Sequence, residues 1–419
     1  MINIFKSGFF IRNKILLSLY FIIIFSVFSF VPLLNMLLIE YYYFSEKDIA
    51  YISSFAVIGF IFSSILNTHF WNIKVNFIKI LNIMISLSIL VFTSLGLALY
   101  LDLGTTILSI IRFLDGIITV IIISTIAHIW KFKLIKNPHK SDINSIITSI
   151  NYIIKIVLPL IIAPLISFFI LPELPFIITI LALIFGLILL NIHKKMIYYK
   201  YMRYFYKEGQ KDIKKKNLGK DAYHFFFGNH RVIEKYIFIS STIIQSLIRP
   251  FYDLVIPAIL LLNYKYSLSE SAILVSFMVI GQSLQYFTNI PLRKISLHYY
   301  QITQISLLTL VSFSILKLDL NLYLLSFLLF SLGLIRSMFA NWDFVYQTNL
   351  VDSKNSLQNV IFINRVLGET VHFFAYLSLP LFLCIEGDYS LYTIFFLSIM
   401  LFLILITIYL EKKKNSNKI

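Results

Sequence analysis

Three oppositely charged pairs stand at helical spacing within otherwise apolar stretches. Arg112 and Asp115 are three residues apart; Arg249 and Asp253, and Arg365 and Glu369, are four apart. Each spacing puts both groups on one face of an α-helix. A guanidinium beside a carboxylate can fork its hydrogen bonds onto that partner or yield them to a competing anion. His372 and Tyr376 continue the Arg365–Glu369 face, and Gln245 precedes Arg249 by one turn. Thr148, Asn151 and Lys155 make one polar stripe; Gln282, Gln285 and Asn289 make another. The candidate ligand-binding groups are therefore Arg112, Asn151, Lys155, Arg249, Gln282, Gln285 and Arg365. The candidate proton-coupling groups are Glu369, Asp115, Asp253 and His372, with Glu369 foremost. Arginine usage adds weight. Only eight of the 36 basic residues are Arg, yet four of those eight lie in apolar stretches, against one Lys. The fork of the guanidinium is selected there. A single cysteine, Cys384, leaves no disulfide framework and no thiolate metal site, so no cofactor or metal is expected.

The elements that must position these groups are membrane-length. The chain has 419 residues, 59% hydrophobic and 13% charged, with mean hydropathy +0.85. A soluble domain is nearer a quarter charged, so a water-soluble enzyme is excluded. Apolar runs predict twelve spans over 15–39, 50–66, 80–101, 105–130, 143–171, 174–192, 236–262, 271–290, 302–316, 322–340, 360–385 and 390–410. Backbone groups in lipid are satisfied within a helix, and the alternation of a β-barrel is absent, so the expected class is all-α. The first span is too long for a removable signal and lacks a cleavage site.

The net charge of +16 is distributed asymmetrically. With loops alternating from a cytoplasmic N-terminus, 28 Lys and Arg fall inside and three, Lys47, Lys265 and Lys317, fall outside, where nine acids gather. That split obeys the positive-inside rule and puts both termini in the cytoplasm. The basic residues face anionic lipid headgroups rather than nucleic acid. The expected organisation is 1–192, a first six-helix bundle; 193–235, a basic cytoplasmic linker; and 236–419, a second bundle with a short tail.

The two halves resemble each other. Ser54-Phe55-Ala56-Val57-Ile58-Gly59 matches Ser276-Phe277-Met278-Val279-Ile280-Gly281, and Val31-Pro32 matches Ile256-Pro257. The Arg112–Gly116 segment is aligned with Arg336–Ala340 at a similar offset. Parallel six-helix repeats describe the halves of one class of secondary transporter. The segment Arg112-Phe113-Leu114-Asp115-Gly116 is similar to the Arg-x-x-x-Gly signature of the major facilitator superfamily, which the chain resembles over its whole length. The loop after span two departs from that family: Asn67-Thr68-His69-Phe70-Trp71-Asn72 lacks the usual glycine, aspartate and arginine. Pro159 to Pro164 loosely echoes the motif of exporters, and Pro257 to Asn263 and Arg365 to Gly368 are faintly like sugar-efflux members.

The resemblance implies two pseudo-symmetric bundles of six helices, alternating access at a midplane site, and spans three, six, nine and twelve facing lipid. All eight Asp, Glu, Lys and Arg within spans avoid those four ranks. Each would cost about 3 kcal/mol unpaired, so they pair or line water. Five bases against three acids predict an anionic small-molecule substrate: an organic acid, a polycarboxylate siderophore or a phosphorylated metabolite. The expected function is proton-coupled secondary transport in a bacterial inner membrane, by a monomer, without enzymatic activity. Sugar or drug efflux, and a non-transporting receptor, are the alternatives. No phosphate-cradling Gly-x-x-x-x-Gly-Lys-Ser/Thr loop and no selectivity-filter or repeated-arginine pattern is present, which argues against a pump or a channel.

Overall fold

The computed structural model describes residues 9–28, 30–72, 77–135, 140–197, 232–284, 297–318, 320–349, 354–386 and 389–416. Each predicted span is helical over most of its described residues. Span one comprises α1 (Phe9–Phe28) and α2 (Phe30–Glu40); spans two, three and four are α3 (Glu46–Asn72), α4 (Phe77–Tyr100) and α5 (Gly104–Ile135). Span five is α6 (Lys140–Val157), a π-helical turn Leu158–Ile162 and α7 (Ala163–Phe169); span six is α8 (Leu174–Ile197). Span seven is α9 (Val232–Pro250), a π turn Phe251–Val255, α10 (Ile256–Ala258) and a second π turn Ile259–Asn263. Spans eight to twelve are α11 (Leu268–Ser283), α12 (Leu297–Lys317), α13 (Leu322–Asn349), α14 (Lys354–Glu386) and α15 (Ser390–Ser416). Eight described stretches are by length and composition able to cross a membrane, among them Gly104–Ile126 and Phe238–Asn263. Most of the expected linker, 198–231, lies outside the described residues. Helices α8 and α9 run a few residues past the apolar boundaries.

The π turns follow from proline. Pro159, Pro164, Pro250 and Pro257 each lack the N–H that an α-helix needs, and a widened turn restores pairing around the gap. Tyr252 and Asp253 fall within one such turn.

Packing within one half maps onto the other by adding six to the rank. In the first half α3 packs on α5, α5 on α4, α4 on α8, and α1 on α8 and α6. In the second, α11 packs on α13, α13 on α12, α12 on α15, and α9 on α15 and α14. The contacts between halves obey the same symmetry. Span two (α3) packs on span eleven (α14), span five (α6 and α7) on span eight (α11), and α2 on the π turns and α10 of span seven.

Glycines set the closest crossings. A Cβ on Gly59 would lie 2.3 Å from the Phe113 carbonyl oxygen, and one on Gly116 would lie 2.2 Å from that of Ala56. In the second half a Cβ on Gly281 would lie 2.2 Å from the Phe330 carbonyl oxygen, and one on Gly333 would lie 1.8 Å from that of Met278. Gly59 thus answers Gly281, as the sequence match has it, and Gly116 answers Gly333. The sequence alignment of Arg112 with Arg336 is displaced by two helical turns: the counterpart of Arg112 is Leu329, and that of Arg336 is Thr119. A seven-residue slip keeps the same helical face, so the apolar pattern does not resist it. The helix starts repeat too. The Ser45 hydroxyl accepts from the Asp48 N–H at 3.3 Å, and the Ser267 hydroxyl accepts from the Glu270 N–H at 3.3 Å. Both caps sit at the same offset as Gly59 and Gly281.

The two ends of the molecule differ. The turns at 40–46, 100–104 and 169–174 carry Glu40, Glu46, Asp102 and Glu173, and Glu270 follows the turn at 263–268; this is called the acidic end. Each holds a left-handed residue: Tyr43 (φ 54°), Asp102 (φ 49°), Ile170 (φ 54°) and Lys265 (φ 55°). There Tyr389 donates to Glu46 of the other bundle at 3.3 Å. Burial, then the charge of Glu46, holds the Tyr389 phenol protonated well above the ordinary tyrosine range. The core is richest in span seven, where the Phe238–Asn263 window is 78% buried, against 33% for Ile78–Tyr100 in span three. Spans three, six and twelve present Leu90, Phe185 and Phe402 outward. Spans five and eleven are comparably exposed, so charge rather than burial separates them from the outer ranks.

Candidate functional site

A cavity of about 360 Å³ lies between the bundles, walled by both. Its position follows from the packing. The halves are pinned by α2 against span seven toward the acidic end, while α1 and α9, on the other side of the midplane, pack principally within their own bundles. The cavity's polar wall includes candidates singled out in the sequence, Arg112, Asp115, Lys155, Arg249, Asp253, Gln282 and His372, together with Arg336.

In the first half Arg112 and Asp115 form an ion pair on α5, both 4% exposed. The Thr119 hydroxyl donates to the other Asp115 oxygen at 3.1 Å. The i,i+3 expectation holds, and a buried carboxylate is compensated by one full charge and one hydroxyl.

In the second half the pairing is richer than one helix face predicts. Arg249 Nε lies 3.4 Å from Asp253 Oδ2 on its own span. Its Nη1 donates to Glu369 Oε1 at 3.1 Å, across to α14. His372 Nδ1 lies 3.2 Å from Glu369 Oε2. The expected Arg365–Glu369 partnership is thus replaced by Arg249–Glu369. Arg365 turns away and donates to Ser124 of the opposite bundle at 2.8 Å, off the cavity wall. Two departures from helix-face reasoning share a cause: i,i+4 spacing states which groups are neighbours on one helix, whereas α9 and α14 are packed closely enough to offer better geometry between helices. Gly368 marks that approach, with a Cβ there 3.0 Å from Ser246 Oγ.

Asn151 also stands away from the cavity wall; its amide donates to the Tyr20 hydroxyl at 3.1 Å. Gln282 lines the cavity and is 4% exposed. Gln285 lies outside the described residues, as does Asn289.

Three wall residues, Arg336, Tyr152 and Tyr252, were not among the sequence candidates. Arg336 places its guanidinium 4.2 Å from the centre of the Tyr252 ring, a cation–π contact. Lys155 Nζ lies 5.3 Å from the Tyr152 ring centre. Lys155 sits in the fields of Arg336, Arg249 and Asp253, so cations from spans five, seven and ten converge. Arg336 resembles an interfacial arginine in sequence, being near a helix end; the two tyrosines carry no signal distinguishing them from lipid-facing aromatics. Asn35 adds a bond between halves, donating to the Asp253 carbonyl at 2.9 Å.

No protein-family model matches the sequence, and no curated protein matches it in sequence. Solved structures match over nearly the whole chain. A bacterial homologue of the iron transporter ferroportin, in an outward-facing state, is 12% identical with TM-score 0.63, covering 96% of this chain and 99% of its own. The nucleoside transporter NupG, solved as a point mutant, is 14% identical with TM-score 0.70, covering 95% and 99%. The D-xylose–proton symporter is 12% identical with TM-score 0.65, covering 94% and 97%. Identity at this level speaks for architecture, and the architecture agrees with the repeat, the helix order and the central cavity: the chain has the major facilitator fold.

Proposed function

We propose that this chain is a secondary transporter that moves a small anion across a bacterial inner membrane by alternating access. The carrying observation is the cavity between the bundles, walled by Lys155 from one half and Arg336 from the other. An anion seated between them screens their mutual repulsion and draws the halves together, which is the differential contact an alternating mechanism requires. The bundles 1–192 and 236–419 move as units, as a monomer, with 193–235 as a basic cytoplasmic tether and both termini cytoplasmic. That the similar structures are transporters supports the class, and the excess of cations on the wall supports the charge of the solute.

Arg249 provides the coupling. It holds two carboxylates, Asp253 and Glu369, with one guanidinium. A substrate anion that competes for Arg249 releases Glu369 to take a proton, with His372 beside it as the other acceptor. Substrate and proton then exchange across the membrane in a fixed ratio.

The test is counterflow in proteoliposomes loaded in turn with citrate, gluconate, glucose 6-phosphate, xylose or uridine. The reading predicts that at least one of the three anions exchanges and that Lys155→Gln and Arg336→Gln abolish it. Exchange of xylose or uridine alone, unaffected by those substitutions, overturns it.

A further inference from the structure

Arg365 stands off the cavity wall yet crosses from one bundle to the other. Its Nη1 donates to Ser124 Oγ at 2.8 Å, and its charge acts on Tyr20 of span one. The Ser124 hydrogen is spent on the Val120 carbonyl of its own helix, so its oxygen meets the guanidinium as an acceptor. Among the described residues this is the only hydrogen bond the Arg365 guanidinium makes. A neutral hydroxyl is a weak partner for a full charge; a carboxylate would bond it about twice as strongly. One is close. Glu369 is a turn away on the same helical face, and its charge acts on Arg365.

Counting along the helices places the contact. Ser124 and Arg365 each lie about 20 residues from the acidic end, measured from Gly104 on α5 and from Glu386 on α14, or roughly 30 Å at about 1.5 Å per residue. The cavity lies nearer that end: its α5 wall is Arg112, Asp115 and Thr119, and its α14 wall is His372 and Tyr376. The Arg365–Ser124 bond therefore ties the bundles together past the cavity, at the far end, where α1 and α9 pack principally within their own halves. Tyr389 and Glu46 tie them at the acidic end.

We propose that Arg365 is a latch with two seats: on Ser124 it holds the bundles shut at the far end, and on Glu369 it lets them part. Arg249 occupies Glu369 in the arrangement seen here, at 3.1 Å. A solute anion that draws Arg249 away frees the carboxylate, and Arg365 exchanges the hydroxyl for it until a proton neutralises the new seat. Filling the cavity thereby unlocks the far end, a differential effect on two states that a carrier requires. This rests on the anion reading above. Arg365 touches no solute; it is a positioning residue that carries the state of Glu369 to the opposite bundle.

The test is a distance across the far end, read by pulsed electron paramagnetic resonance on the full chain in lipid nanodiscs. With Cys384→Ser as background, spin labels at Lys14→Cys and Tyr409→Cys occupy exposed positions of opposite bundles. Ser124→Ala should raise the ratio of wide to narrow separations about tenfold or more, the worth of one hydrogen bond to a charged group. Arg365→Met should do the same, and the two together no more than either, since both remove one bond. Ser124→Asp gives the latch a carboxylate of its own. It should lower the ratio below the parent's, and adding Arg365→Met should raise it again; a merely structural role would not move the ratio in opposite directions. At least one of citrate, gluconate and glucose 6-phosphate should raise the ratio in the parent and leave it unmoved in Glu369→Gln. A ratio indifferent to Ser124→Ala and Ser124→Asp overturns the latch. An anion that exchanges in counterflow but does not move the parent's ratio, or that still raises it in Glu369→Gln, overturns the exchange of seats. Absence of counterflow with all three anions, while the Ser124 variants shift as stated, upholds the latch and refutes instead the anion reading.

Discussion

Replacing Gly116 by Ala tests the crossing that holds Arg112 and Asp115 in the cavity wall. The new methyl carbon would lie 2.2 Å from the Ala56 carbonyl oxygen. Ordinary non-bonded contact is about 3.5 Å, so α3 and α5 must part by roughly 1 Å. Overpacking of this kind costs about 1–3 kcal/mol, and backbone on both sides leaves no flexible side chain to move aside. Alanine favours helix over glycine by about 1 kcal/mol, which offsets part of the loss. Gly96→Ala is the matched control: its nearest neighbour is the Phe176 ring at 3.5 Å, an ordinary contact, so only the propensity gain remains. Thermal unfolding of the two variants in one detergent should place Gly116→Ala several degrees below Gly96→Ala, which itself matches or exceeds the parent. Gly333→Ala, 1.8 Å from the Met278 carbonyl oxygen, should fall at least as far as Gly116→Ala. Because Asp115 adjoins Gly116, counterflow by Gly116→Ala should drop more than the surviving folded fraction explains. Equal unfolding temperatures for Gly116→Ala and Gly96→Ala would refute the close crossing and the repeat register drawn from it.

Other perturbations separate pairing from transport. Arg112→Gln strands Asp115 in a buried site and should cost about 3–5 kcal/mol of stability, whereas Arg112→Gln with Asp115→Asn should regain much of it, read by unfolding temperature. Glu369→Gln leaves Arg249 with Asp253 alone and should remove uptake driven by a pH gradient while substrate counterflow continues; full gradient-driven uptake would remove Glu369 from the coupling step. Tyr389→Phe deletes the part-buried bond to the Glu46 carboxylate at the acidic end and should shift the balance toward forms open there by about tenfold or more, the worth of one hydrogen bond to a charged group. Labelling of a probe at the acidic end reads that shift, and an unchanged rate would deny Tyr389 a latching role.

Much of this was legible in the sequence because lipid imposes strong rules. Apolar runs of about twenty residues state the helices, and intramembrane charge states which ranks face inward; Arg112, Asp115, Lys155, Arg249, Asp253, Gln282 and His372 all reach the cavity wall. Partner choice was less legible. Helical spacing assigned Glu369 to Arg365, but α9 packs so closely on α14 at Gly368 that Arg249 takes it. Arg365 and Asn151 stand on cavity-side helices yet turn to Ser124 and Tyr20, since rank fixes a helix and not each side chain's direction. The repeat was readable where glycine and a cap recur together, at Ser45 to Gly59 and Ser267 to Gly281. It slipped by two turns in spans four and ten, where Gly116 and Gly333 alone mark the register. Tyr152 and Tyr252 gave no signal in a chain with 26 tyrosines.

Access to the cavity from alternate sides is the central claim, and cysteine labelling tests it most directly. With Cys384→Ser as background, Gln282→Cys places one thiol on the cavity wall, where Gln282 is 4% exposed. A membrane-impermeant thiol reagent is applied to oriented vesicles from one face and then from the other. The account predicts modification from both faces, slowed by the transported anion and abolished when a crosslink joins the bundles across the acidic end on the side being probed. Modification from a single face under every condition would contradict it.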